Sequence, residues 1–158
     1  MAQICKLPTA DSIRTLLSEL TGDTVKVRER TGVPPVDYIA TYFDKSDRLQ
    51  GVLLADLGFA ASSGGKLAML PRDTVEESVK AGELSEDLNE AFYEVVNIMA
   101  SLMCGEEYAH ARLVALDHPA IEAPIGTRAF AVNHTKRRCQ VEVDFGEFGG
   151  GQASFILR

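Results

Sequence analysis

A carboxylate and a carboxamide stand three residues apart near the middle of the sequence, at Glu94 and Asn97. On a helix this spacing places two side chains next to each other, one turn apart, so both could act on one target. A carboxamide can donate and accept hydrogen bonds at the same time. Asn is unfavourable inside a helix, and Asn97 is far from either expected end. A pair this short also occurs by chance on ordinary helix surfaces, so that interpretation stays open.

The residues around this pair predict an amphipathic helix over residues 86–104, with Ser85 as its N-cap and Gly105 as its stop. At about 100° per residue, one side of the helix is apolar and carries Leu88, Ala91, Phe92, Val95, Val96, Met99, Leu102 and Met103. The opposite side is a polar stripe formed by Asp87, Glu90, Glu94, Asn97 and Ser101. The apolar side should bury against a sheet, which leaves the polar stripe available to solvent or to a partner.

The elements that must position this helix predict an α+β fold. Capping and periodicity indicate helices over residues 10–21 and 59–70, the second rich in small residues that allow its backbone to pack closely against the sheet. Strands are expected in two groups, a meander over residues 24–29, 37–43 and 49–57, and a later set over 108–116, 127–132, 138–145 and 152–157. Such segregated blocks favour an antiparallel sheet with the long helix and a second helix packed on it, in one domain spanning residues 1–158.

Charge and hydropathy exclude several function classes. The net charge of −7 has the wrong sign for a protein that binds nucleic acid. Neither a membrane-spanning stretch nor a signal peptide is expected, which predicts a cytoplasmic protein. Residues 72–94 contain eight acidic and two basic side chains, so nearly all the excess negative charge lies there. A solvated helix face would explain most of these acids.

Cysteines and histidines do not show the spacing of a metal site. Cys5, Cys104 and Cys139 lack a CxxC pair, and neither they nor the three histidines form a ligand pattern. Reduced thiols and no protein-held metal are therefore expected. Cys104 and His110 are close in sequence, but a cysteine at a helix end is usually a packing residue, so a Cys-His hydrolase is disfavoured.

The segment Glu94-Val95-Val96-Asn97-Ile98-Met99-Ala100-Ser101 resembles the ExxN helix of the CheC and CheX family of chemotaxis phosphatases. Pro119 lies close to the position of that family's downstream proline, one residue nearer to the motif than is usual. Glu90 stands where the family usually has Asp or Ser. The helix over residues 10–21 carries no Asn companion to its Glu19, so one motif is present, as in CheX.

This resemblance implies that the substrate is the aspartyl phosphate of a CheY-like response-regulator receiver domain. Asn97 would position the in-line water, and Glu94 would engage the regulator's conserved lysine. Glu90 and Ser101 would lie at the partner surface, and Pro119 would shape the turn after its strand. The chain would hold no cofactor, because Mg²⁺ comes from the receiver domain. The likeness to CheX also implies a homodimer.

Two other functions are compatible with the same sequence. The acidic helix could serve a non-catalytic adaptor that binds a receiver domain or a flagellar-switch component without altering its phosphate. Alternatively, the strand over residues 152–157 could pair with a second copy along an exposed sheet edge, which would make the chain an assembly module.

Overall fold

In the computed structural model, which describes residues 3–158, six antiparallel strands form one sheet with five α-helices packed around it. The helices are α1 (Ala10–Thr21), α2 (Leu57–Leu67), α3 (Arg72–Ala81), α4 (Glu86–Met99) and α5 (Ile125–Asn133). The strands are β1 (Lys26–Glu29), β2 (Tyr38–Phe43), β3 (Leu49–Ala55), β4 (Arg112–Asp117), β5 (Arg137–Asp144) and β6 (Gly150–Leu157). The α+β prediction is confirmed. Within the described residues, no helix has the length and apolar character needed to span a membrane.

The sheet has the order β1-β5-β6-β3-β2-β4, which corrects the predicted meander. β2 and β3 do form a hairpin, but β1 pairs with β5, with Val27 opposite Val143. Pro34 and Pro35 lie in the segment between β1 and β2, and these two strands do not pair with each other. The guanidinium of Arg28 on β1 lies 3.4 Å from a carboxylate oxygen of Glu142 on β5, so an ion pair also joins these two strands.

β6 lies inside the sheet, between β5 and β3, and pairs with both. Its backbone donors and acceptors are therefore already in use on both sides. The hypothesis that residues 152–157 join a second copy at a sheet edge is wrong. The outer strands are β1 and β4.

Residues 127–132, predicted as a strand, belong to helix α5, which begins after Pro124. Thr127 and Phe130 are its buried residues, and the Phe130 ring stacks on His134 one turn later. The Phe130 side chain packs with Ile39 in a small core on one face of the sheet. Burial of this helical face outweighs the β preference of Thr, Phe and Val. The first part of the acidic segment forms the helix α3, in line with the solvated helix face expected for its acids, although no bounds were predicted for it.

The two faces of the sheet have different coverings, set by the alternation of residues along β2. Tyr38 and Tyr42 point into the larger core with Phe92 of α4, whereas Ile39 points toward α5. α2 packs closely on α4 because Gly64 lies against the backbone of α4: a Cβ at this position would be 3.1 Å from Leu88 O and from Phe92 N. This helix was predicted to pack its backbone on the sheet, and Gly58 does so: a Cβ there would be 2.4 Å from Gly150 O of β6.

The start of α2 is fixed to β6 by the carboxylate of Asp56. One oxygen accepts from Phe59 N–H at 2.8 Å, and the other accepts from Gln152 N–H at 3.0 Å. Burial raises the pKa of Asp56, although both hydrogen bonds favour the charged form. Gly151 lies against this junction, where a side chain has no room.

Candidate partner-binding face on helix α4

Helix α4 is a firmly anchored support for the predicted polar stripe. Ser85 caps it, accepting from Leu88 N–H at 3.3 Å, and Glu86 and Asp87 occupy the first turn, where negative charge suits the helix dipole. Its apolar side is buried, mostly in the larger core, and its Leu88 packs with Ala61 and Val75 of α2 and α3. The predicted helix over residues 86–104 ends as an α-helix at Met99 and continues as a 3-10 turn over Ala100–Met103.

The four residues of the stripe assigned to function are all exposed: Glu90, Glu94, Asn97 and Ser101. Within residues 3–158 their side chains form no hydrogen bond or ion pair with the rest of the chain. Glu90, Glu94 and Asn97 lie on α4 itself, whereas Ser101 lies on the 3-10 turn that follows. The carboxylate of Glu94 and the carboxamide of Asn97 are therefore available to another molecule, one helical turn apart.

Tyr42 of β2 supports the backbone next to Asn97, a role that no sequence signal indicated. The N–H of Ala100 donates to the carbonyls of Asn97 and Ile98, so the carbonyl of Val96 lacks its usual partner four residues on. The fully buried Tyr42 hydroxyl donates to that carbonyl at 2.7 Å. Burial raises the pKa of Tyr42, which keeps this hydroxyl protonated as a donor.

Tyr42→Phe should destabilise the protein by about 1–3 kcal/mol, because it leaves a buried carbonyl without a partner. Local opening should increase at the end of α4, which is measurable as faster hydrogen exchange of the Ala100 amide. Tyr93→Phe is the control, since Tyr93 is on the same helix but is 45% exposed. Equal unfolding free energies for the two variants would show that the Tyr42 hydrogen bond contributes nothing.

Pro119 lies across the sheet from the polar stripe. It follows β4 and begins a 3-10 turn over Ala120–Glu122, and it lines a groove together with Ile39 and Leu54, which face α5. The preceding His118 stacks on Tyr38 with ring centroids 4.2 Å apart. The proline thus occupies the turn after its strand, at a distance from the face that carries Glu94.

The three cysteines occupy packing positions in the fold. Burial raises the pKa of the Cys5 and Cys139 thiols to about 11, so both stay protonated at neutral pH. Cys104 Sγ is 3.7 Å from His110 Nδ1, but it also accepts from Ala111 N–H at 3.4 Å and donates to the carbonyl of Ala100 at 3.4 Å. Among residues 3–158, no three His, Cys, Asp or Glu side chains are grouped as a metal site.

Comparison with known proteins gives a likeness in structure but not in sequence. No family model and no curated protein matches the chain. A chain of the FliM–SpeE complex from H. pylori matches with a TM-score of 0.65 and 11% identity, covering 94% of this chain and 80% of that one. The FliM middle domain from H. pylori gives 0.63 at 11% identity, covering 94% and 84%.

The chain has the fold of a FliM middle domain. A third structure, the FliG–FliM complex from H. pylori, agrees, with a TM-score of 0.58, 11% identity and coverage of 94% and 85%. The predicted fold, α+β and CheC-like, is confirmed at the level of the fold. The nearer likeness to CheX stays a prediction.

Proposed function

We propose that this chain is an adaptor of the chemotaxis and flagellar-switch type, which binds a receiver domain through the polar stripe of α4. The observation that supports it is the exposed, unengaged stripe of Glu90, Glu94 and Asn97 on a helix whose other side is buried. The FliM-like fold agrees, since two of the similar structures are complexes of FliM with another protein.

Charge and rigidity suit this face to binding. The segment over residues 72–94, which includes most of α4, carries a net charge of −6, and Glu90 and Glu94 extend that charge onto the stripe. A receiver domain offers a conserved lysine beside its phosphorylation site, so Glu94 can form a charge-assisted hydrogen bond with it. Because the core holds α4 in place, binding has to order the side chains of the stripe but not its backbone.

Glu94→Lys should weaken binding to a beryllofluoride-activated CheY-like receiver domain by about ten-fold or more, or about 1.4 kcal/mol. The new lysine would repel the receiver's own lysine. The matched control is Glu19→Lys, which makes the same charge change at an exposed position on α1. Titration calorimetry of the three proteins tests the proposal: equal affinities for both variants would remove the stripe from the interface.

A second candidate function is hydrolysis of the receiver's aspartyl phosphate, favoured by the free Asn97 carboxamide one turn from Glu94. In this reaction water attacks phosphorus in line, and the bond from phosphorus to the aspartyl oxygen breaks. The products are inorganic phosphate and the free carboxylate. Asn97 would accept a hydrogen bond from the water without repelling the phosphoryl oxygens, and Mg²⁺ held by the receiver would offset their charge. An adaptor leaves the phosphate lifetime unchanged, whereas a phosphatase shortens it.

A further inference from the structure

A groove of about 610 Å³ crosses the face of the sheet opposite α4. Ile39 and Leu54 form its floor, and its sides come from the segment before β2, the turn after β4, and α5. Val36, Ile121 and Val132 line these three sides in turn. The groove is thus built by elements separate from those that present Glu94 and Asn97.

The apolar side chains along the groove are unusually open to solvent. Val36 is 66% exposed, Ile121 69% and Val132 74%. Single exposed apolar residues are ordinary, but several that line one groove are the pattern of a surface that a protein covers.

The charge around the groove indicates the chemistry of its partner. Among residues 3–158, the groove lining contains one basic side chain, Arg128, and one acidic side chain, Asp37. Arg128 lines the groove and is held there by its Nε–H, which donates to the carbonyl of Ala123 at 3.0 Å. No carboxylate within residues 3–158 pairs with Arg128. The one acid in the lining, Asp37, already accepts from Leu57 N–H at 2.9 Å.

We infer that this groove binds an amphipathic helix of a partner protein that bears acidic residues beside its apolar face. Apolar side chains of the helix would cover Ile121 and Val132, and a carboxylate would pair with Arg128. A helix suits the site because the floor is the face of a sheet, where no strand edge is available to pair with an extended backbone. Since the groove and α4 lie on opposite faces, the chain could hold this helix and a receiver domain at once.

Fluorescence anisotropy with the full chain and a labelled synthetic helix tests this inference. The probe has about 18 residues, or about five turns, with Leu at every third or fourth position and Glu on the flanks. A second probe carries Lys in place of each Glu. We expect the Lys probe to bind about ten-fold more weakly or worse, and Arg128→Gln should remove most of that discrimination.

Variants of the chain locate the binding. Ile121→Glu should weaken binding of the Glu probe about ten-fold or more, because it places a negative charge in the groove that repels the acidic probe. Met69→Glu is the matched control, an exposed apolar residue outside the groove, and should leave the affinity unchanged.

Three outcomes would overturn the inference: no binding of the Glu probe, equal binding of both probes, or self-association of the chain that Ile121→Glu abolishes, which would assign the groove to a second copy. Glu94→Lys should not alter probe binding, and Ile121→Glu should not alter receiver binding. Failure of this inference is therefore distinguishable from failure of the proposed function.

Discussion

Gly151→Val should leave little cooperatively folded protein. A Cβ at position 151 would lie 2.1 Å from Asp56 Oδ1 and 2.2 Å from Phe59 N, and the second of these atoms is backbone. The start of α2 would have to move away from β6, breaking the two hydrogen bonds that Asp56 makes there. We expect the free energy of unfolding to fall by at least the upper end of the usual overpacking cost of about 1–3 kcal/mol. Each of the two lost hydrogen bonds should lower it by about 1 kcal/mol more.

Gly126→Val is the matched control, because nothing lies within 4 Å of a Cβ at position 126. Its unfolding free energy should stay within about 1 kcal/mol of the wild type, the range of helix propensities. Urea unfolding followed by circular dichroism measures both variants. A cooperative transition of Gly151→Val at the wild-type midpoint would show that α2 and β6 are not packed as closely as described.

Asn97→Ala should abolish the acceleration of receiver dephosphorylation that a phosphatase of this kind produces. Losing the group that orients the attacking water should lower the rate about 100-fold or more, which is the rate loss expected when a reactant is misplaced. Binding should persist with little change, since Glu94 and Glu90 remain. Release of inorganic phosphate from a phosphorylated CheY-like receiver domain with Mg²⁺ present measures the effect.

The matched control for this substitution is Asn89→Ala, which removes another exposed carboxamide from the same helix. It should retain the full rate. A wild-type protein that binds the receiver but leaves its phosphate lifetime unchanged would refute the hydrolytic function and favour the adaptor. An Asn97→Ala protein as active as the wild type would remove Asn97 from the mechanism.

Local signals in the sequence were sufficient for the elements with strong periodicity and clear ends. α1 was predicted at its actual bounds, and α4 begins where Ser85 was expected to cap it. The exposed polar stripe follows from the same periodicity, since burial of one side of an amphipathic helix exposes the other. Its catalytic role, the homodimer, the single domain over residues 1–158 and the cytoplasmic location remain predictions.

Features that depend on contacts between distant segments could not be predicted from spacing. The pairing of β1 with β5 joins residues more than a hundred positions apart, and no turn signal specifies it. α5 is helical because its Phe130 packs against the sheet, although the composition of this stretch favours a strand. Tyr42 resembles any buried residue of β2 until the hydroxyl is seen beside Val96 O. The groove needs three separate segments to exist.

The position of β4 at the margin of the sheet has a consequence for how this protein behaves when concentrated. Its outward side presents peptide groups that another chain could join, and its centre is the uncharged run Leu113-Val114-Ala115-Leu116. Arg112 and Asp117 bracket that run, and we expect the charge of Arg112, the more exposed of the two, to discourage stacking into fibres. An open sheet keeps two outer strands, and charged residues at the ends of such a strand limit its pairing with another chain.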